Sequence, residues 1–138
     1  MFDCIQQDDY CLREVVVHVA SYHADRSKVH NEVNPGLGLR FKNPSSRWFA
    51  AAGVYENSIY RTSFYAGMGT DVPLIDHVAL RFTVVVVSGY EAPLMPVLVP
   101  ELVIERRGYG VAIGFVPKLK SGNHEVQSVM SFSLIKRF

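Results

Sequence analysis

Large apolar residues alternate with small or polar residues through most of this 138-residue chain. A period of two is typical of a β-strand, because successive side chains of a strand point to opposite faces of the sheet. Turn-forming Asn, Pro, Ser, Asp and Gly, as at Asp71 and Pro73, separate the alternating runs, which predicts eight strands. The predicted strands cover residues 15–23, 35–42, 48–56, 60–70, 77–89, 96–105, 109–116 and 127–138.

Eight consecutive antiparallel strands close naturally into an up-and-down barrel. We therefore predict an all-β fold, in which an eight-stranded antiparallel β-barrel domain spans residues 15–138. An N-terminal segment, residues 1–14, precedes the barrel, and its pattern leaves room for a short helix over residues 3–14.

The two faces of the predicted strands differ in size and polarity. A water-soluble barrel turns its large apolar residues inward, whereas a membrane barrel turns them outward and fills its lumen with small or polar side chains. A lumen of glycine and serine would make a poor soluble core, so the pattern favours the membrane barrel over a sandwich with one face packed against a partner chain. We expect Tyr109, Val111, Ile113, Phe115, Phe132 and Leu134 to point outward, and Gly110, Ala112, Gly114, Ser131 and Ser133 to point inward.

Composition narrows the choice of partner and compartment. The chain has 14 Lys and Arg against 13 Asp and Glu, a net charge of +1, which argues against direct nucleic-acid binding through phosphate contacts. A disulfide between Cys4 and Cys11 is an open alternative, but it would close a very small loop, so the two cysteines are expected to be ordinary thiols. The acidic start, residues 1–9, lacks the basic and apolar regions of a secretory signal. Either a leader is missing from this numbering and the protein reaches a bacterial outer membrane, or it is not exported by that route.

Several polar residues are expected near one rim of the barrel. Up-and-down order brings His23, His30, His124 and Ser58 towards the same end. No metal-ligand spacing such as His-Glu-x-x-His accompanies the histidines, so no metal and no cofactor are expected.

Ser58 is a candidate nucleophile, because a serine next to a histidine base can attack a carbonyl carbon. His18 shares the predicted lumen-facing side of the first strand with Ala20 and Tyr22 and could act as that base. We expect the two residues on neighbouring barrel walls near the rim that the 24–34 and 57–59 connections form. The alternative is that Asn57 and Ser58 simply form a polar hairpin turn.

A proline-rich run marks the start of the sixth predicted strand. Pro93, Pro96 and Pro100 cannot donate hydrogen bonds to a β-ladder, so they are expected to interrupt strand pairing there. In a membrane barrel such a gap could let a lipid chain enter sideways. A proline-stiffened loop is the alternative.

Segments of the chain resemble the outer-membrane lipid A palmitoyltransferase family (PagP type). Residues 30–39 resemble the Asn-Glu-x-Pro and glycine-rich opening of the family's second strand, and residues 93–100 resemble its Pro-Leu-Pro-Val-Leu-Leu-Pro run. Residues 108–117 resemble the strand that follows, and the ending at residues 131–138, with its terminal Phe138, is similar too. The resemblance covers residues 15–138 and implies transfer of an acyl chain from a phospholipid to a sugar-linked hydroxyl of lipid A.

The resemblance also implies a set of catalytic residues. His18 matches the family's histidine and Ser58 its serine, whereas Asn57 stands where the family has an aspartate. An asparagine cannot supply a carboxylate to orient a charged imidazole, so the chain departs from the family at this position.

Two functions follow from these observations. The first is an outer-membrane barrel that binds lipid or transfers an acyl chain, with lipid or a membrane surface as its partner. The second is a non-enzymatic structural barrel, such as a phage virion component, whose apolar strands pack against neighbouring protein subunits. The proline run and Phe138 favour the first, and the acidic start favours the second.

Overall fold

The computed structural model of the chain describes residues 11–23, 33–42, 46–57, 60–89, 94–116, 119–121, 124–126 and 129–138. Strands make up nearly all of this part of the chain, and the alternation of apolar and polar residues continues along most of them. The strands are β1 (Cys11–His23), β2 (Val33–Lys42), β3 (Trp48–Glu56), β4 (Thr62–Ile75), β5 (Val78–Val87), β6 (Met95–Arg106), β7 (Tyr109–Val116), β8 (Leu119–Ser121), β9 (His124–Val126) and β10 (Val129–Arg137).

Eight of these strands form a closed antiparallel barrel in the order β1-β10-β7-β6-β5-β4-β3-β2. The barrel closes because β1 pairs with β2 on one side and with β10, the last strand, on the other. Each remaining neighbour follows in sequence, apart from the short β8–β9 hairpin between β7 and β10, which forms a separate two-stranded sheet. The prediction of an eight-stranded up-and-down barrel is therefore confirmed.

The N-terminal prediction needs correction where the structure describes it. Residues 11–14 belong to β1 and not to a helix, because they pair with the end of β2, as in Cys11 opposite Lys42. Residues 3–10 of the predicted helix lie outside the described residues. Cys11 is disulfide-bonded, so the expectation of an ordinary thiol at this position is wrong. Cys4, the other cysteine, also lies outside the described residues. No helix long and apolar enough to cross a membrane occurs in the described part of the chain.

The hairpin of β4 and β5 is longer than predicted. Asp71 and Pro73 were expected in a turn, but both lie within β4, opposite Arg81 and Ala79. The turn occurs instead at Asp76 and His77. Asp71 remains in the strand because its carboxylate points into the barrel and accepts two hydrogen bonds from the Arg81 guanidinium, a contact that local turn propensity does not reflect.

The outer face of the barrel is apolar and the inner face is largely polar. Phe64 and Tyr109 are more than 60% exposed, whereas Arg81 and Glu14 are at most 2% exposed. The predicted orientation is confirmed in β7 and β10. The predicted outward residues are exposed, except for the half-buried Ile113, and the predicted inward residues are buried or half-buried.

Strand β1 contains an irregularity that changes the facing of its last residues. The register of β1 against both neighbours shifts between His18 and Ala20, which is the mark of a β-bulge. Before the shift, His18 lies on the inner face. After it, Tyr22 lies on the outer face and is 51% exposed, although the simple alternation placed it on the same face as His18. The prediction for Tyr22 is wrong because one extra residue reverses the facing of everything beyond it.

The barrel has two distinct ends. The lower end carries the first residue of β1, the last residue of β10 and the short connections at residues 43–47, 76–77 and 107–108. The upper end carries the connections at residues 24–32, 57–61, 88–94 and 117–128, three of which are longer than any connection at the lower end. Short turns at one end and longer loops at the other are typical of membrane barrels.

Candidate functional site

A chain of hydrogen bonds crosses the lumen halfway along the barrel. His18 of β1 contacts Ser133 of β10 through Nδ1 at 3.1 Å and Tyr65 of β4 through Nε2 at 2.7 Å. Arg40 of β2 donates from Nη1 to the same Tyr65 hydroxyl at 3.3 Å. The four residues come from four strands, and the inward parity of each strand brings them together.

The donors in this chain can be assigned consistently. A guanidinium can only donate, so the Tyr65 hydroxyl accepts from Arg40. Tyr65 can then donate its own proton to Nε2 of His18, and the remaining N–H at Nδ1 donates to the Ser133 hydroxyl. Both ring nitrogens of His18 are therefore engaged inside the barrel by described residues.

Small residues in the lumen make room for Tyr65. A Cβ atom built on Gly38 would collide with the Tyr65 hydroxyl, and one built on Gly53 would collide with its ring. The side chain of Tyr65 is 8% exposed and lies between these two positions on β2 and β3. At this level the glycines therefore accommodate a large aromatic ring, as in small barrels whose interior is filled by side chains.

Arg40 occupies the lumen below Tyr65. Its guanidinium carbon lies 5.7 Å from the centre of the Tyr65 ring and 5.9 Å from the centre of the Phe49 ring, within cation–π range. Arg40 is 5% exposed, and its Nε has no hydrogen-bond partner among the described residues. Arg40 and the two rings thus fill the middle of the barrel.

The lower lumen holds a buried network of ion pairs. Arg81 donates to both carboxylate oxygens of Glu14, at 2.8 and 3.0 Å, and to both oxygens of Asp71, at 2.7 and 3.0 Å. Arg137 donates to Glu14 at 2.6 Å and lies 2.9 Å from a carboxylate oxygen of Glu105. These residues come from β1, β4, β5, β6 and β10, so the network ties together strands from both sides of the barrel.

The upper lumen is apolar by comparison. Tyr65, Val85, Val87 and Val97 form a buried cluster there. Further hydrophobic side chains are only partly buried against this cluster; they are Tyr55, Met95, Val99 and Val116.

Asn57 belongs to a separate set of contacts at the upper end. Its amide nitrogen donates to the Ser63 hydroxyl and to the carbonyl of Gly89, both at 2.9 Å. Its side-chain oxygen accepts from the backbone N–H of Arg61 at 3.0 Å. Asn57 is fully buried and fastens the β3–β4 connection to the end of β5. The described structure therefore does not bring Asn57 into hydrogen-bond contact with His18.

The remaining predicted site residues are placed in part. Ser58 and Pro93 lie outside the described residues. Pro96 and Pro100 lie within β6, opposite Val86 and Phe82 of β5. Pairing with β5 continues through both prolines, so the expected interruption does not occur on that side. On the other side, the β6–β7 pairing begins only at Glu101, and within the described ladder the first half of β6 has no partner on β7.

The predicted rim histidines lie outside the described side chains. His30 lies outside the described residues, and the side chains of His23 and His124 are not described. Among the residues that the structure does describe, no three His, Cys, Asp or Glu side chains lie together as a metal site.

Sequence reasoning did not predict the hydrogen bonds that join His18 to other residues across the lumen. Ser133 had been placed on the inner face, and Tyr65 and Arg40 lay on the parity opposite the large apolar residues of their strands. Their inward facing could therefore be inferred. That they meet His18 depends on the register of the closed barrel, which the alternation of one strand does not contain.

Comparison with known proteins identifies the fold. No protein-family profile and no curated protein matches the sequence. The solution NMR structure of the de novo designed TMB2.3, a transmembrane β-barrel, matches with a TM-score of 0.68 at 14% identity, over 96% of this chain and 98% of the designed one. This chain has an outer-membrane-type β-barrel fold. At so low an identity the likeness establishes the fold and nothing beyond it.

Proposed function

We propose that this protein is an integral barrel of a bacterial outer membrane, with its short lower turns on the periplasmic side. The observation that carries this proposal is the inversion of its two faces. Large apolar side chains cover the outside, whereas charged and polar side chains such as Arg81, Glu14 and Ser63 are buried inside. Monomeric proteins in water rarely expose a continuous apolar surface of this kind, since it drives association.

The strand lengths fit the same environment. β2 and β5 have 10 residues each and β3 has 9. A tilted β-strand needs about 9–11 residues to cross the apolar part of a bilayer. Because β1 pairs with β10, the barrel has no free edge strand, and most of its backbone hydrogen-bonding groups are paired within the sheet. Within the described ladder, the exception is the first half of β6 on its β7 side.

Refolding tests this proposal. The full chain is unfolded in urea and diluted into phosphatidylcholine vesicles, into detergent micelles or into plain buffer. We expect a compact form that migrates differently before and after boiling to appear with vesicles and micelles and not in buffer. A monomeric, ordered protein in detergent-free buffer would contradict the membrane assignment and favour a soluble structural protein.

A finer proposal concerns lipid binding at the upper end. We propose that an acyl chain enters between β6 and β7, where the first half of β6 has no β7 partner in the described ladder. Pro96 and Pro100 lie in this half and lack backbone N–H groups. The upper apolar cluster lies behind it, and its partly buried members Met95, Val99 and Val116 offer an apolar surface for one chain.

A larger side chain in the upper apolar cluster tests this entry route for the acyl chain. Val97 is 7% exposed and faces the lumen, whereas its neighbour Leu98 faces outward. We expect Val97→Phe to reduce binding of a fluorescent phospholipid to the protein in micelles, because the larger ring fills the space that the chain would occupy. Leu98→Phe is the matched control and should leave binding nearly unchanged. Equal effects of both changes would contradict lipid entry at this point.

Acyl transfer is the catalytic form of this proposal. His18 would act as the base and Ser58 as the nucleophile, as the resemblance to the palmitoyltransferases implies. Transfer of a labelled acyl chain from phospholipid to lipid A by the protein in detergent measures it. Ser58→Ala and His18→Ala should abolish transfer. Ser133→Ala, which removes a hydroxyl that contacts His18, should at most reduce it.

A non-enzymatic barrel is the second candidate, and two observations favour it. Both ring nitrogens of His18 contact side chains of the barrel interior. Asn57, which replaces the family's aspartate, uses its amide to hold a turn. Absence of transfer by folded, lipid-inserted protein would decide for this candidate.

A further inference from the structure

Three residues form a row across neighbouring strands on the outer face of the lower end. Arg106 of β6 lies opposite Tyr109 of β7, and Tyr109 lies opposite Lys136 of β10. Tyr109 is 65% exposed, and the alternation of each strand places all three side chains outside the barrel. Neighbouring strands are about 4.8 Å apart, so the two cations flank the tyrosine across roughly 10 Å.

The row is ordered by its own contacts. The ammonium of Lys136 lies 3.9 Å from the centre of the Tyr109 ring, a close cation–π contact. Tyr109 begins β7 directly after the turn at Arg107 and Gly108, both of which have positive φ angles, so the strand start is fixed by a tight turn. The phenol hydroxyl and the two cations are therefore presented together at one level of the barrel.

In the part of the chain that the structure describes, no carboxylate forms an ion pair with Arg106 or Lys136. Glu105, next to Arg106 in sequence, points into the lumen and pairs with Arg137. Glu14, near Lys136, also points inward and pairs with Arg81 and Arg137.

Other exposed charges of both signs lie at this end among the described residues. Arg107 adds a further exposed cation in the adjoining turn, and Arg13 donates to the carbonyl of Phe138 on the neighbouring strand edge. Asp76, an exposed carboxylate of the lower end, lies in the β4–β5 turn. Among the described residues, the cations Arg106, Arg107 and Lys136 around Tyr109 thus outnumber the one exposed carboxylate side chain close to them, Asp76, whose turn is hydrogen-bonded to Glu105.

We propose that the row of Arg106, Tyr109 and Lys136 binds the phosphate of an anionic phospholipid headgroup. Cations at the edge of an apolar belt attract anionic lipid, and an interfacial tyrosine places its ring among the acyl chains and its hydroxyl among the headgroups. The apolar residues Val111 and Leu134, one step above the row on the same face, would contact the lipid chains. This inference rests on the proposed insertion into a membrane and adds the chemical class of the lipid and its place on the barrel.

A tryptophan reporter beside the row tests the inference. The reporter chain is the full sequence with Trp48→Phe and Ile104→Trp, which keeps Tyr109 and leaves one tryptophan, on the outer face of β6 one step above Arg106. It is inserted into phosphatidylcholine vesicles that contain a fixed fraction of brominated phosphatidylglycerol or, separately, the same fraction of brominated phosphatidylcholine. Bromine quenches a tryptophan in contact with the lipid, so the two quenching curves give the relative affinity of the site for the anionic lipid.

We expect phosphatidylglycerol to be preferred at the row by about five-fold at low salt. Arg106→Gln with Lys136→Gln in the reporter chain should remove most of this preference. The matched control is Arg47→Gln with Arg61→Gln, which removes the same charge from two exposed sites elsewhere on the barrel and should preserve it.

Each outcome is informative. Equal quenching by both lipids, or an equal loss of preference in the two double variants, would overturn the inference and leave the membrane assignment intact. Absence of quenching by either lipid would contradict membrane insertion itself, and the inference would fall with it.

Discussion

The two halves of the lumen differ in the interactions that hold them together. In the lower half, Arg81 joins Glu14 and Asp71 in a buried network, and hydrogen-bonded strand pairing runs between β6 and β7. In the upper half, an apolar cluster replaces the ion pairs, and the first half of β6 has no β7 partner within the described ladder. The hydrogen bonds of His18 to Tyr65 and Ser133 lie between the two halves.

This difference separates an end held by directional ion pairs from an end packed by apolar contacts. Buried charges are stable only when their partners are present with good geometry, so the lower network requires one precise arrangement of five strands. Apolar contacts have no such directional requirement. The upper half can therefore tolerate a shift of side chains that the lower half cannot.

Breaking the lower network should have the largest effect on stability. Arg81→Met leaves the carboxylates of Glu14 and Asp71 without their main buried partner, and we expect a loss of about 3–5 kcal/mol in the free energy of unfolding. Urea unfolding in vesicles measures it. Arg13→Met, at an exposed arginine on the same strand as Glu14, should change stability by less than about 1 kcal/mol. A comparable loss of unfolding free energy in both variants would show that the buried network contributes no more to stability than an exposed arginine does.

Filling the space around Tyr65 should have the next largest effect. Gly38→Ala places a methyl group against the Tyr65 hydroxyl, and we expect a loss of about 1–3 kcal/mol from overpacking. Tyr65→Phe removes that hydroxyl, so the double variant should be more stable than the sum of the two single changes predicts. Simple additivity in the unfolding free energies would contradict the close contact.

Replacing Asn57 by aspartate tests the role of this residue at the upper end. The carboxylate cannot donate to the Gly89 carbonyl and would face it without a proton. We expect Asn57→Asp to reduce the free energy of unfolding by about 1–2 kcal/mol. This change would introduce the aspartate found at this position in the palmitoyltransferases that the chain resembles. A large gain of acyl transfer with unchanged stability would instead favour a catalytic role.

The smallest effect is expected where His18 meets Ser133. Ser133→Ala removes the hydroxyl that accepts the hydrogen bond from Nδ1–H of His18. We expect it to lower the free energy of unfolding by about 1 kcal/mol. It should also change the NMR signal of the His18 ring. Ser131→Ala, two positions earlier on the same strand, should leave that signal unchanged. Identical spectra of the parent and Ser133→Ala would show that the contact is not formed.

The sequence pattern predicted the eight barrel strands and the facing of most of their residues. The alternation in β7 and β10 gave the correct outward set, because the period of two is a local property of an extended backbone. It failed where one position departs from that period. Tyr22 follows a bulge, and Asp71 stays in a strand because Arg81 binds it from the neighbouring strand.

The sequence by itself determined an eight-stranded barrel with apolar residues outside, since strand number and facing depend on short stretches of chain. Only the tertiary structure decided which inward residues meet. Closure of β1 on β10 sets the register around the barrel, and that register brings His18 to Tyr65 and Ser133 and leaves Asn57 in a different set of contacts. Such contacts join residues far apart in the sequence, 115 positions for His18 and Ser133 and 123 for Glu14 and Arg137, and no local pattern specifies contacts at such separations.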